Sequence, residues 1–170
     1  ISASNVTKTY GSKPFSLNAK AKTKLSYKSS NAKVATVSSD GRVTLKGLGK
    51  ATITITAAAT ANYNAASKSV TITVKPKKVA GLKVKKGKKR MTVSWKRDKK
   101  VTGYQITYAQ NKKFKKGKKT ITISKNKTIK RTVKKLKARK TYYVKVRAYK
   151  KVGKTKIYGA YNKVKKVNTR

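Results

Sequence analysis

The sequence contains no histidine, no cysteine and only two carboxylate residues, Asp40 and Asp98, among 170 residues. Without histidine, imidazole acid–base catalysis and histidine metal ligation are absent. Without cysteine there is neither a disulfide framework nor a thiolate metal site, although secretion is not excluded. The two carboxylates lie in different halves of the chain, so a glycosidase-type pair is not expected. No serine has an evident orienting base, and we expect no enzyme, no metal and no cofactor.

Long apolar segments are also missing. No stretch approaches the roughly 20 apolar residues that are needed to span a bilayer, and no secretory signal peptide is visible. The first residues, "ISASNVTKTY", read like the interior of a longer polypeptide. We therefore expect a fragment of a larger multidomain protein, monomeric within it, with no membrane span.

Positive charge is what the sequence has in excess. It contains 49 lysine and arginine residues, a formal net charge of +47, and only 36% apolar residues. Such a composition is typical of disordered chains. However, segments such as "ATITITA", "MTVSW" and "YYVKVRAY" alternate apolar with polar residues and are rich in β-branched and aromatic side chains, which predicts strands. No stretch has sustained helical periodicity, so the predicted fold class is all-β.

Pro76 marks a predicted domain boundary, because proline removes a strand hydrogen-bond donor and holds its predecessor extended. We predict two tandem antiparallel β-sandwiches, over residues 1–75 and 80–170, joined by a linker at 76–79. Residues 1–75 carry a net charge of +11 and residues 76–170 carry +36. The unusual electrostatics therefore belong to the second half of the chain.

The first half contains a predicted hairpin, "KVATVSSDGRVTLKG", whose Asp40-Gly41 pair favours positive φ at the turn. The segments "GKATITITA" and "KSVTITV" add two strands. Together with "LSYKSSNAKVATVSSDGRVTLKGLGKATITITA" and "ANYNAAS", these residues resemble a bacterial Ig-like domain of the group 2 type, with Tyr27 where that family often has tryptophan. The resemblance implies a small β-sandwich that serves as a spacer or adhesion module in exported bacterial proteins.

In the second half, "MTVSW" places Met91, Val93 and Trp95 on one face of a strand. Leu136 lies six residues before Tyr142, a spacing that resembles the tyrosine corner of a fibronectin type III domain, and the resemblance covers about residues 79–168. It implies that Trp95 is buried. The predicted strands are about 82–84, 91–97, 103–109, 119–124, 128–134, 141–149 and 157–166.

With these strands, antiparallel alternation brings three basic loops to one end of the second domain. They are "KKGKKR" (85–90), "QNKKFKKGKK" (110–119) and "KKLKARK" (134–140), with 16 basic residues and no acid. The loops at the other end carry +8 in total. The predicted polyanion-binding residues are therefore Lys85, Lys86, Lys88, Lys89, Arg90, Lys112, Lys113, Lys115, Lys116, Lys118, Lys119, Lys134, Lys135, Lys137, Arg139 and Lys140.

The outward row of the strand "YYVKVRAY" alternates rings with charges. Tyr143 and Tyr149 are predicted as glycan-stacking residues, with Tyr158 or Tyr161 as additional members. The simpler interpretation is ordinary cross-strand pairing on an exposed sheet.

A cationic module at the bacterial cell surface or wall is the function that we expect. It would attach a larger exported protein to teichoic acid, an acidic polysaccharide, a glycosaminoglycan or mucin glycans. The alternatives are a passive structural spacer, with lysine serving only solubility, and a carbohydrate-binding module of an extracellular glycan-degrading enzyme. Only seven of the basic residues are arginine, and no recognition helix is predicted, so nucleic acid is expected to bind only non-specifically in vitro.

Overall fold

The computed structural model describes residues 1–170 and contains only strands, turns and loops. It divides into two compact units, Ile1–Lys75 (unit 1) and Pro76–Arg170 (unit 2). The all-β fold class is thereby confirmed, and residues 76–79, predicted as a linker, fall within unit 2. Neither unit includes a long apolar helix of the kind that crosses a membrane.

Unit 1 is a sandwich of two sheets. The larger has the strand order β1-β7-β6-β3 and the smaller has the order β2-β5-β4. All pairs are antiparallel except β1 with β7, which run parallel with Val6 opposite Ile72. The strands are β1 (Val6–Thr9), β2 (Phe15–Ser16), β3 (Leu25–Ser29), β4 (Ala35–Val37), β5 (Arg42–Leu45), β6 (Gly49–Ala57) and β7 (Ala66–Lys75).

The predicted hairpin at Asp40-Gly41 is confirmed, because β4 pairs with β5 and Val37 lies opposite Val43. Gly41 has φ of 77°, in the left-handed region that glycine adopts without steric cost. A Cβ atom at Gly41 would come within 2.8 Å of the Tyr27 ring. Glycine is thus needed here both for the turn and for the ring that packs against it.

Unit 2 is also a sandwich of two sheets. One has the order β11-β10-β13-β14, with β15 also paired to β13, and the other has the order β12-β9-β8. The strands are β8 (Lys83–Gly87), β9 (Arg90–Ser94), β10 (Gly103–Ala109), β11 (Lys119–Ile123), β12 (Lys130–Val133), β13 (Thr141–Val152), β14 (Thr155–Tyr158) and β15 (Lys165–Asn168).

The core of unit 2 forms where the inward rows of the two sheets meet. Met91 and Val93 are fully buried and Trp95 is only 4% exposed, as the alternation in "MTVSW" predicted. The indole of Trp95 meets the ring of Tyr104 edge-on, with 5.2 Å between ring centroids, a favoured arrangement for two aromatic rings. Trp95 is therefore a core residue and lies away from any ligand surface.

Several predicted boundaries in unit 2 are wrong: β9 ends at Ser94 instead of residue 97, and β13 extends to Val152 instead of residue 149. The segment 85–90, predicted as a loop, is mostly a hairpin, because β8 pairs with β9 as far as Gly87 opposite Arg90. The last strand, predicted over 157–166, is split into β14 and β15. Between them the chain still bonds to β13, because the amide nitrogens of Gly159 and Asn162 donate to Ala148 O (2.9 Å) and Val146 O (3.0 Å). The amide of Val146 donates to Oδ1 of Asn162 at 2.9 Å, so a side chain takes the place of a backbone carbonyl and interrupts the ladder.

Candidate anion-binding surface

Backbone hydrogen bonds tie the A–B hairpin to the E–F loop. We use these names for residues 85–90 and 134–140, and C–C′ loop for residues 110–119. The amide nitrogen of Leu136 donates to Lys89 O at 3.0 Å. Thr169 fixes the other side of the E–F loop, because its hydroxyl donates to Lys137 O at 2.6 Å and accepts from the amide of Lys140 at 3.1 Å.

Tyr142 ties the E–F loop to the C–C′ loop. Its hydroxyl accepts hydrogen bonds from the amide nitrogen of Lys137 (3.0 Å) and from Nε2 of Gln110 (3.2 Å). The bond from Lys137 is the backbone contact that the resemblance to a tyrosine corner implies. Three loops that are distant in sequence therefore meet at one end of unit 2, which we call the basic end.

All sixteen basic residues of the basic end are exposed. The three loops that form this end contain neither Asp40 nor Asp98. None of their ammonium or guanidinium groups has a hydrogen-bond partner in the protein, since the only arginine side chains that donate are Arg97 and Arg147. Twelve of the sixteen lie in turns and loops, and the other four are on strands: Lys85, Lys86, Arg90 and Lys119.

Four residues of the basic end adopt the left-handed backbone conformation, which is uncommon outside glycine. Their φ values are 47° for Lys89, 55° for Phe114, 57° for Lys135 and 51° for Arg139. Asn18 is the one other residue besides glycine with positive φ in the chain. Strained backbone of this kind concentrates at sites where surrounding contacts fix it in place, and here those contacts are the bonds that link the loops.

A groove of 920 Å³ lies between the A–B hairpin and the E–F loop; we call it the arginine groove. Its cationic walls are Lys85, Lys86, Lys88, Arg90, Arg139 and Arg170, and its polar lining is Thr92, Thr132 and Thr169. The hydroxyls of Thr92 and Thr132 are 3.2 Å apart and bond to each other. Guanidinium groups bind phosphate, sulfate and carboxylate in a bidentate manner, so the groove offers charge and directional donors together.

A second cleft, of 460 Å³, lies between the C–C′ and E–F loops; we call it the tyrosine cleft. Tyr108, Leu136 and Tyr142 form its apolar floor and are 6–8% exposed. Gln110, Asn111 and Gly117 complete the wall, and the rim consists of Lys116, Lys119, Lys135 and Lys137. Sequence reasoning missed Tyr108, because it sits on the core-facing side of β10 and only the loops around it open the cleft.

The prediction that Tyr149 stacks on a glycan is wrong. Tyr149 is 2% exposed, because its ring lies across Gly103, its register partner, and its hydroxyl donates to Ile123 O at 3.4 Å. Tyr158 covers it further, with 5.7 Å between ring centroids. Tyr143 is half-buried on the same face of β13.

Intramolecular cation–π contacts occupy the other rings of this face. The guanidinium of Arg147 lies 3.8 Å from the Tyr158 centroid and 4.6 Å from that of Tyr161. The ammonium of Lys145 lies 4.3 Å from Tyr161 and 4.2 Å from Phe114. The row that alternates rings with charges is thus a packed column that holds the C–C′ loop onto the sheet.

At the opposite end of unit 2, the side chain of Asn126 links two loops. Its Oδ1 accepts two bonds from Arg97, at 3.3 Å and 2.9 Å. Its Nδ2 donates to Lys99 O (3.3 Å) and to Val101 O (2.9 Å). We call residues 97–100, 125–127 and 150–156 the opposite end; the last of these ranges is the tip of the β13–β14 hairpin.

The titratable groups with shifted pKa values are one aspartate and three tyrosines. A hydrogen bond from Ser38 holds the pKa of the exposed Asp40 carboxyl below its ordinary value. Burial raises the pKa of the Tyr108 and Tyr104 phenols, which keeps both protonated at neutral pH. No group of three or more His, Cys, Asp or Glu side chains is placed to hold a metal ion.

Comparisons with known proteins agree with this architecture. Residues 19–59 match the model of the intimin immunoglobulin-like domain, and residues 75–159, half of the chain, match that of the fibronectin type III domain. No curated protein matches. Solved structures share the fold as well, and two of them are multidomain fibronectin type III segments. A two-domain fibronectin type III segment of chicken tenascin is 14% identical, with a TM-score of 0.56 over 85% of this chain and 82% of that one.

The second structure comprises the FN1–FN3 domains of chicken CNTN1, which are 16% identical, with a TM-score of 0.51 over 98% of this chain and 68% of that one. At these identities the likeness concerns the fold alone. The chain therefore belongs to the fibronectin type III family through unit 2, which an intimin-type immunoglobulin-like domain precedes.

Proposed function

We propose that the chain is a non-catalytic, cationic module that attaches a larger exported protein to an anionic polymer at the bacterial cell surface. The observation that carries this proposal is the basic end, where sixteen exposed cationic side chains converge without one carboxylate. The family of unit 1, typified by intimin, supports a surface location. Domains of these two families are in general non-catalytic modules, and the absence of histidine agrees with that role.

Solubility alone does not account for such a surface. Ordinary surfaces mix both signs of charge, because like charges repel and destabilise the fold. A polyanion relieves this repulsion when it binds, which turns an unfavourable surface into a source of affinity. Teichoic acid, acidic polysaccharides, glycosaminoglycans and mucin glycans all carry the phosphate, carboxylate or sulfate groups that lysine and arginine bind. The wall of the producing cell is the first candidate, because attachment there retains the protein without a covalent anchor.

Retention on an anionic matrix tests the proposal. The full chain should bind immobilised heparin and purified cell-wall preparations at low salt, and several hundred millimolar salt should elute it, because salt screens such contacts. Five lysines of the basic end are changed to glutamine in one variant, and five exposed lysines of the opposite end in its matched control. Both variants have the same net charge. The first set is Lys86, Lys88, Lys113, Lys115 and Lys134, and the second is Lys99, Lys125, Lys127, Lys151 and Lys154.

The basic-end variant should elute at clearly lower salt than the opposite-end variant. Equal elution of the two would show that net charge alone matters and would contradict a defined surface. Failure of the unchanged chain to bind either matrix at low salt would leave the spacer role as the explanation. Elution by a neutral sugar in place of salt would instead indicate a carbohydrate-binding module.

A further inference from the structure

We propose that the tyrosine cleft binds one acidic sugar residue of the polymer, with the sugar ring over the apolar floor and its acidic group toward the lysine rim. This inference rests on the proposed function and narrows its ligand to an acidic polysaccharide. The C–H face of a pyranose ring packs on aromatic and aliphatic carbons, and its charged substituent needs a cation nearby.

The floor of the cleft is rigid and already assembled. The rings of Tyr108 and Tyr142 lie 6.4 Å apart between centroids, tilted by 56°, and Leu136 sits beside them. The two bonds that the Tyr142 hydroxyl accepts, from Gln110 and Lys137, hold the surrounding loops in place. The volume of 460 Å³ lies within the ordinary range of small-molecule sites, about 300–1,000 Å³.

A polar group in this cleft is left without a partner. The Tyr108 hydroxyl makes no hydrogen bond within the protein, although the hydroxyls of Tyr104 and Tyr142 each make at least two. The Tyr108 phenol is a donor at neutral pH, because the ordinary pKa of tyrosine is about 10 and burial raises it further. The hydroxyl is open to solvent, since only Trp95 Nε1 and Asn162 Nδ2 are buried without a partner. A ligand hydroxyl or carboxylate that reaches it therefore exchanges a contact with water for a direct hydrogen bond.

Positively charged side chains surround the apolar floor of the tyrosine cleft. The four ammonium groups of the rim, on Lys116, Lys119, Lys135 and Lys137, are exposed and have no carboxylate nearby in sequence. The arginine groove provides an internal contrast, because it is twice as large at 920 Å³ and is lined by threonine and basic residues without one aromatic ring. The arginine groove suits any linear polyanion, whereas the tyrosine cleft suits one that also presents a ring.

Three small probes separate these contributions: trigalacturonate carries rings and charge, tripolyphosphate carries charge alone, and maltotriose carries rings alone. Each probe is titrated into the full chain by calorimetry at about 0.05 M and about 0.5 M salt. The Debye length is several-fold shorter at the higher salt, so charged contacts are screened much more strongly there. Trigalacturonate should bind more tightly than either other probe at the higher salt, where its ring contacts and hydrogen bonds persist.

The variant Tyr108→Phe keeps the buried ring and removes only the hydroxyl. It should weaken trigalacturonate binding by roughly two- to tenfold, as expected for one neutral hydrogen bond, and leave tripolyphosphate binding unchanged. Tyr63→Phe, at an exposed tyrosine of unit 1, is the control and should change neither affinity.

Two results would overturn the inference while the proposed function stands. In the first, trigalacturonate binds no more tightly than tripolyphosphate at the higher salt. In the second, Tyr108→Phe leaves the affinity for trigalacturonate unchanged. Maltotriose binding as tightly as trigalacturonate would also overturn it, because the lysine rim would then be irrelevant. If the chain failed to bind heparin and both charged probes at low salt, the proposed function would fall as well.

Discussion

The two ends of unit 2 are built from similar residues and use them differently. At the opposite end, the guanidinium of Arg97 donates hydrogen bonds to the Asn126 side chain. The Tyr104 hydroxyl accepts a hydrogen bond from the amide nitrogen of Asp98 at 2.9 Å. At the basic end, backbone groups and neutral side chains hold the loops together, chiefly Leu136, Tyr142 and Thr169. The charged groups of the basic end take no part in its structure.

At the basic end, the groups that hold the loops in place are different from the groups that carry the charge. A loop that is held by its own lysines or arginines loses order when those residues are replaced, so its charge is structural. A loop that is held by backbone bonds retains its shape without them, and its cations are free for a partner. The basic end therefore permits charge replacements that test binding alone, whereas at the opposite end replacing Arg97 or Asn126 should change stability first.

The largest effect is expected for Asn126→Ala. The change removes four side-chain hydrogen bonds of the opposite end, and we expect it to lower the free energy of unfolding of unit 2 by about 2–3 kcal/mol. Urea denaturation followed by fluorescence measures this, because Trp95 is the single tryptophan and lies in the core of unit 2. Retention on heparin should be unchanged. As the control, Lys112→Ala should stay within about 0.5 kcal/mol; a loss as large as that of Asn126→Ala would refute the distinction between the ends.

The variants Tyr104→Phe and Tyr108→Phe compare the stability of the two ends of unit 2. Both tyrosines lie on the core-facing side of β10, Tyr104 toward the opposite end and Tyr108 toward the basic end. Tyr104 bonds to the backbone of Asp98 and Asn126, so its replacement should cost about 1–2 kcal/mol. Tyr108 has no such partner, and its replacement should be within about 0.5 kcal/mol of neutral at pH 7. The same fluorescence-detected unfolding measures both, and equal losses would mean that the Tyr108 hydroxyl has a structural partner after all.

Lys89→Gly should change stability less than Asn126→Ala or Tyr104→Phe, and in the stabilising direction. Lys89 has φ of 47°, which costs a non-glycine residue about 1–2 kcal/mol, whereas glycine loses about 0.5–1 kcal/mol of backbone entropy. The net gain is about 0–1.5 kcal/mol, with a small loss of retention on heparin. Lys88→Gly removes the same charge without relieving positive φ and should destabilise; if both variants were equally stable, strain at Lys89 would be disproved.

Sequence patterns correctly predicted those features of the fold that follow from the alternation of apolar and polar residues within a strand or from the residues of a turn. The period of two in "MTVSW" identified the inward row of Met91, Val93 and Trp95, and the Asp40-Gly41 pair identified the β4–β5 hairpin. The tyrosine corner followed from the spacing of Leu136 and Tyr142. Each signal lies within a few residues of the feature that it predicts.

Features created by distant segments were missed. Alternation placed Tyr149 on the outward row correctly, but its burial depends on the absent side chain of Gly103 on a neighbouring strand. Phe114 reads as part of a basic loop, yet it is buried against Lys145. The tyrosine cleft depends on how two loops surround Tyr108, and no pattern within either loop contains that information.

The parallel pairing of β1 with β7 gives unit 1 a mechanical property. These are its first and last strands, and four successive pairs join them, from Val6 opposite Ile72 to Thr9 opposite Lys75. When tension acts along the chain through both ends of unit 1, the two strands are pulled in opposite directions along their common axis. The rungs of this ladder then resist together in shear instead of opening one after another, so unit 1 opposes stretching between its two ends.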